Sequence, residues 1–270
     1  MGGDLFDRYP DWTRQADDIL GYSIRELCVD DPRGELGQTA FTQPALFVVN
    51  ALTYRARIDG GAAEPAFLAG HSLGEYDALL AARVFDFATG LRLVQRRGAL
   101  MGRVGGGGMS AVIGLDPKTI QRVLHESDEG RRVDVANFNS QDQTVLAGPK
   151  EDLAAVKPHI EAAGARAVIP LNVSAPFHSR YMREAQAEFA AFLKDFAFAP
   201  PAIPVISNVS AKPYEPDMVR QTLSEQIGNS VRWLETVQCL LGQSDPQFEE
   251  VGPGSVLTKL VNSIKKGSRK

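Results

Sequence analysis

Cysteine is scarce in this chain of 270 residues, with Cys28 and Cys239 the whole supply. Two thiols cannot build a disulfide framework or a four-cysteine zinc site. Reduced thiols of this kind fit a cytoplasmic protein. Long apolar runs are also missing. The longest stretches, such as residues 45–49, are core-sized and far short of the ~18 residues that a membrane helix needs. The opening segment MGGDLFDRYPDW has no basic region followed by an apolar one, so it does not read as a secretory signal. Nor is there an excess of basic charge. Lys and Arg number 29 against 33 Asp and Glu, giving a net charge of −4 and a pI near 5.7. A dedicated nucleic-acid binder would carry a basic stripe, so neither nucleic acid nor a membrane is expected as a partner. With 25 glycines and 16 prolines the chain is not low-complexity.

What is present is an ordinary globular mixture, 44% hydrophobic and 23% charged. At about 150 residues per domain, the length allows one large domain or one domain with an insert. The first forty residues read as short helices. Thr42 is placed to cap a longer helix, with Pro44 in its first turn and apolar residues on one side up to Ile58. Residues 66–69 form a short apolar run, which suits a buried parallel strand. Helices are predicted over 75–82 and 87–101. Gly105 to Gly108 reads as a flexible joint. No Lys-Ser/Thr follows it, so it is not a phosphate loop.

Past the glycines the pattern becomes strand 109–115, helix 117–125, strand 133–138, strand 144–147, helix 150–163 and strand 165–171. That order is the split β-α-β signature of a ferredoxin-like unit. The chain then returns to longer elements: a helix over 180–196, strands at 203–207 and 248–251, and a last helix over 256–264. Strands alternate with helices outside the insert, which predicts an α/β main body with a parallel sheet. The expected division is a main domain of residues 1–107 and 173–270 around a subdomain of residues 108–172.

Gly70-His71-Ser72-Leu73-Gly74 fits G-x-S-x-G, the pattern that exposes a serine hydroxyl on a sharp strand-to-helix turn. Glycines on both sides remove clashing Cβ atoms. The helix that follows turns its free N–H groups and positive end toward the serine, and the Leu73 N–H becomes an oxyanion donor. An ordinary strand–helix turn would carry the same letters. A nucleophilic serine needs a base. His71 adjoins Ser72 across a tight turn, which suits an orienting or packing role. His125 and His159 fall on insert helices and read as surface residues. His178, in VSAPFHS just past the insert, is the best base candidate, although a lone histidine can equally be structural. No Asp or Glu stands out by spacing as a third partner, and a backbone carbonyl can hold an imidazole tautomer instead. Arg92, Arg96, Arg97 and Arg103 crowd one helix. They form a solvated face, or one of them faces the cleft and grips a carboxylate through two parallel hydrogen bonds. Gly98 beside them would open room for a ligand.

With these pieces assembled, the sequence resembles the malonyl-CoA:acyl carrier protein transacylases, and more narrowly the discrete acyltransferases that serve polyketide synthases in trans. The resemblance covers nearly the whole chain. Its marks are TQPAL at 42–46, GHSLGEY at 70–76, QRRGALM at 95–101, NFNSQDQTVLAG at 137–148, VSAPFHSRYM at 173–182, PVISNV at 204–209 and EVGPGSVLTKL at 250–260. It implies an α/β-hydrolase-like main domain with a ferredoxin-like subdomain. It also implies a monomer that needs no cofactor, with malonyl-CoA as substrate and a phosphopantetheinylated acyl carrier protein as partner. Ser72 would be the nucleophile and His178 its base. Arg97, at the RRG position, would pair with the malonyl carboxylate, and the Gln226 carbonyl in SEQIGNSV would orient the histidine. Phe177 would disfavour an α-methyl branch. Basic residues near the cleft and the KKGSRK tail are candidates for meeting the acidic carrier.

The resemblance also implies an opening strand and a glycine-glutamine loop, F-P-G-Q-G-S-Q, whose first glutamine donates a second oxyanion N–H. MGGDLFDRYP matches only the segment after that loop, as a truncated start would. An acyl hydrolase that clears carriers, or a catalytically impaired carrier-binding module, would share much of this pattern. An editing hydrolase of uncharged acyl groups would have no use for Arg97.

Overall fold

The computed structural model describes residues 1–173 and 175–268. Ser174 of the 173–182 motif and Arg269 and Lys270 of the tail lie outside the described residues. Three short helices open the chain, α1 (Leu5–Arg8), α2 (Pro10–Leu20) and α3 (Ile24–Val29), followed by the long α4 (Thr39–Asp59). Next come β1 (Leu68–Ala69), α5 (Gly74–Ala81) and α6 (Phe87–Arg103). A compact run follows: β2 (Gly107–Ile113), α7 (Pro117–His125), β3 (Asp134–Ser140), β4 (Gln143–Pro149), α8 (Lys150–Ala162) and β5 (Ala167–Pro170). The last elements are α9 (Arg183–Phe192), β6 (Val205–Ile206), α10 (Val219–Gly228), α11 (Trp233–Leu241) and α12 (Val256–Gly267).

The fold is mixed α/β, with a parallel pair β1-β6 and an antiparallel sheet in the order β3-β4-β2-β5. That order, with α7 and α8 as the crossovers, is the ferredoxin-like arrangement. Val112, Ile120, Leu124, Leu146, Val156 and Ile160 form its own core. The main body is built around α4 and α6. Gly90 and Gly98 of α6 face α4, and a Cβ on Gly98 would lie 2.9 Å from the Thr39 carbonyl oxygen. The two helices therefore pack at close range, and Gly98 serves that approach rather than opening room for a ligand. Trp12, Phe87 and Phe47 stack in series beside it, with ring centroids 4.6 and 5.9 Å apart. Each buried ring contributes about 2–3 kcal/mol.

Several local expectations differ from the structure. Helix α4 begins at Thr39, so Pro44 sits inside it and Thr42 does not cap it. The Thr42 hydroxyl instead donates back to the carbonyls of Leu36 and Gln38. The lost backbone bond at Pro44 is tolerated because residues 43–45 are buried against the body. The four glycines do not form a loose joint. Gly107 and Gly108 already belong to β2, and a Cβ on Gly107 would lie 2.7 Å from the Pro176 ring. The expected strand at 248–251 is absent, because these residues line a cleft beside β1 and form no ladder with it. Its Glu250 carboxylate instead accepts from the Leu257 and Thr258 amides at the start of α12.

Two of the ties between the antiparallel sheet and the main body bear on the site. Asp134, at the start of β3, takes hydrogen bonds from the Arg180 backbone and guanidinium. Residues 136–138 exchange backbone bonds with Val231. These two ties hold the segments that carry His178 and Gln226.

Candidate active site

Ser72 sits between β1 and α5 with φ 52°, and His178 has φ 57°. Both are non-glycine residues in left-handed backbone, a strained state that persists only where the surroundings enforce it. For Ser72 the enforcement is visible. Its N–H donates to Asn208 Oδ1 at 2.7 Å, and its carbonyl accepts from Gln226 Nε2 at 2.7 Å. Asn208 Nδ2 also donates to the Gly70 carbonyl at 2.7 Å. Asn208 thus clamps the turn from both sides. Gly70 is required by space, since its Cβ would fall 1.9 Å from the backbone of Gly74. Gly74 has open space at that position, so only the first glycine relieves a clash.

His178 is buried and reaches Ser72 Oγ through Nε2 at 2.7 Å. Its Nδ1 lies 2.9 Å from the Gln226 carbonyl oxygen. A carbonyl can only accept, so the hydrogen-bond network assigns the ring proton to Nδ1 and leaves Nε2 to take the serine proton. Burial, helped by the Arg97 charge, pushes the imidazole pKa down to about 3. The free base is therefore neutral throughout the physiological range.

Arg97 is the one residue of the arginine group that turns inward. It is 1% exposed, while Arg96 and Arg103 lie at the surface and share Glu188. Its guanidinium donates to Gln43 Oε1 at 2.6 Å, to Gln226 Oε1 at 2.9 Å and to Ser72 Oγ at 3.1 Å. It lies over the Tyr76 ring. All of its acceptors are neutral. The Leu73 N–H, at the start of α5, makes no hydrogen bond among the described residues and points its helix end at the serine. Phe177 is half-buried and packs against the main core and the Met109 patch. His71 bonds Asn139 at 2.9 Å and packs on Trp233, away from the serine hydroxyl. His125 and His159 are exposed.

A sequence model of the acyl transferase domain matches residues 6–268. The chain belongs to that family. It is 50% identical over 267 residues to the Bacillus subtilis polyketide biosynthesis malonyl CoA-acyl carrier protein transacylase PksC, covering 98% of this chain and 92% of that one. It is 40% identical to the Escherichia coli malonyl CoA-acyl carrier protein transacylase, covering 98% and 88%. A crystal structure of the Burkholderia pseudomallei malonyl CoA-acyl carrier protein transacylase superposes with a TM-score of 0.94 at 50% identity, covering 98% and 93%.

Within this acyltransferase frame, Gln43, Glu75, Asn208 and Tyr214 are site residues that the motif reading passed over. The first three lie inside quoted motifs, but nothing local signals that they converge. A cleft of about 1430 Å³ runs along the edge of β1 opposite β6 and reaches Gly70, His71 and Leu73. Ser72, Arg97 and His178 lie outside its lining.

Proposed function

We propose that the chain transfers a malonyl group from malonyl-CoA to the phosphopantetheine thiol of an acyl carrier protein. The observation that carries this reading is a buried guanidinium with only neutral acceptors, 3.1 Å from a serine hydroxyl that is itself 2.7 Å from a neutral histidine. A buried cation that touches no anion directly is poorly compensated, and a substrate carboxylate gives it a direct partner beside the reacting oxygen. His178 Nε2 takes the proton as Ser72 Oγ attacks the thioester carbon. The oxyanion faces the Leu73 N–H. The C–S bond then breaks, and the CoA thiolate leaves with the proton from His178. In the second half, His178 deprotonates the pantetheine thiol, which attacks the malonyl ester and restores Ser72. Every proton and electron pair is accounted for by these side chains, and the mechanism calls on no cofactor. The 50% identity to polyketide relatives favours polyketide supply, and the free Cys28 and Cys239 suit the cytoplasm.

The direct test is incubation with malonyl-CoA or acetyl-CoA followed by intact-mass analysis. A malonyl adduct that maps to Ser72 and passes to a carrier protein is expected. Release of free malonate without transfer would favour a hydrolase.

One further outcome is expected at this site. Phe177→Ala should raise methylmalonyl use relative to malonyl by about 1–3 kcal/mol, the scale of one methyl in a pocket. Competition between the two thioesters measures it, and an unchanged ratio would remove Phe177 from specificity.

A further inference from the structure

Glu75 lies three residues past Ser72 in the first turn of α5 and is fully buried. Its oxygens accept from the Tyr214 hydroxyl, from Gln226 Nε2 at 2.8 Å and from the Asn208 backbone N–H at 3.3 Å. All three donors are neutral. Arg97 is the buried cation on the other side, and its acceptors are neutral as well. One group joins the two charges. The Gln226 side-chain amide donates to Glu75 through Nε2 and accepts from Arg97 through Oε1 at 2.9 Å.

We propose that Glu75 and Arg97 form an ion pair bridged by the Gln226 amide, and that Glu75 takes up a proton when a substrate carboxylate seats on Arg97. The inference rests on the reading of Arg97 as the carboxylate clamp. In the free enzyme one buried anion balances one buried cation. A bound malonyl carboxylate makes two anions for one cation in a water-poor interior, and such a site protonates one of them. The substrate carboxylate contacts the guanidinium directly, while Glu75 meets it through an amide. Glu75 is therefore the group that neutralises.

The charged and titratable neighbours allow this. Burial pushes the Glu75 carboxyl up to about 7, against the pull of its hydrogen bonds and of Arg97. Tyr214 and Tyr76 are held protonated by burial. His178, on the main-chain side of Gln226, stays neutral. Asp77, on the same helix, is bonded to Asn50 and is pushed up by its own burial. Of these groups, Glu75 is the carboxyl that the Gln226 amide joins to Arg97.

The sign follows from linkage. Malonyl-CoA binds better to enzyme that already carries the Glu75 proton, so its affinity rises as pH falls through 7, by about tenfold between pH 8 and pH 6. The test uses Ser72→Ala protein, in which chemistry is blocked. Calorimetry at pH 6, 7 and 8, in buffers of different ionisation enthalpy, gives the dissociation constants of malonyl-CoA and acetyl-CoA and the protons taken up. The acetyl-CoA arm subtracts titration of the CoA phosphates. The malonyl preference should fall about tenfold from pH 6 to pH 8, with proton uptake seen for malonyl-CoA alone. Adding E75Q, which keeps the shape and removes the charge, should make the preference flat with pH and stronger than the parent's at pH 8. Adding Y214F, which removes a donor to the anion, should move the fall to higher pH. A flat preference in the parent, or an unchanged fall in E75Q, overturns the proposal. No malonyl preference at any pH would overturn the clamp itself, and the proposal with it.

Discussion

Ser72→Ala is expected to abolish the malonyl adduct and to lower transfer by roughly 10⁴-fold or more, as loss of an activated nucleophile does elsewhere. Ser72 Oγ is the point where His178 Nε2 and Arg97 Nη2 converge, at 2.7 and 3.1 Å. No other hydroxyl among the described residues is bonded to both. His178→Ala should fall to a similar level, and the double variant should be no worse than either single one, because the two residues act as a unit. The fold should survive, since Ser72→Ala leaves in place the backbone bonds to Asn208 and Gln226 that hold the turn. Single-turnover kinetics with intact-mass detection checks this. An adduct that persists in Ser72→Ala at undiminished rate would displace the serine from the mechanism.

Arg97→Ala is expected to erase the preference for malonyl over acetyl, a loss of about 3–4 kcal/mol or roughly 10²- to 10³-fold in relative specificity. The selectivity ratio is the measurement to trust. Removing the guanidinium also leaves Gln43 and Gln226 oxygens without a donor in a buried site, so stability and both substrates will suffer together. Arg97→Lys should recover only part of the preference, because one ammonium cannot hold Gln43, Gln226 and a carboxylate in the geometry of a planar fork. Competition between malonyl-CoA and acetyl-CoA reads the ratio directly. An Arg97→Ala enzyme with full malonyl preference would sink the clamp.

The Arg97 guanidinium also acts on the base. Burial and the nearby guanidinium keep His178 neutral well below pH 6. In the proposed mechanism a substrate carboxylate in direct contact with Arg97 lessens that charge's hold on the imidazole, which then takes the serine proton more easily.

The subdomain was the most legible part of the chain. Its apolar residues repeat with a period of two in the strands and near 3.6 in α7 and α8, and each short element meets its sequence neighbours. The observed bounds of α7, Pro117–His125, coincide with the expected ones because Asp116 caps it and Pro117 opens it. Expectations failed where a distant contact overrode a local signal. Pro44 reads as a helix start but is carried inside α4 by burial against the body. Four glycines read as a joint, yet two of them are strand residues, and Gly107 is pressed against Pro176. Residues 248–251 have strand composition, but a cleft lies between them and the β1 edge.

What the sequence determined by itself is the chemistry on offer. A glycine that lets a serine stand on a tight turn, a helix start behind it and an arginine on a neighbouring helix are all set by spacing and side-chain type. What only the tertiary structure decided is which of these groups meet. Gln226 reaches Ser72 across 154 residues of chain and Asn208 across 136. Glu75 is only one letter of its motif in the sequence, but in the fold it is buried and joined to Arg97 through the Gln226 amide. Hydrogen bonding acts over about 3 Å in space, whatever the separation along the chain. Where each buried charge finds its partner is therefore a property of the packed fold.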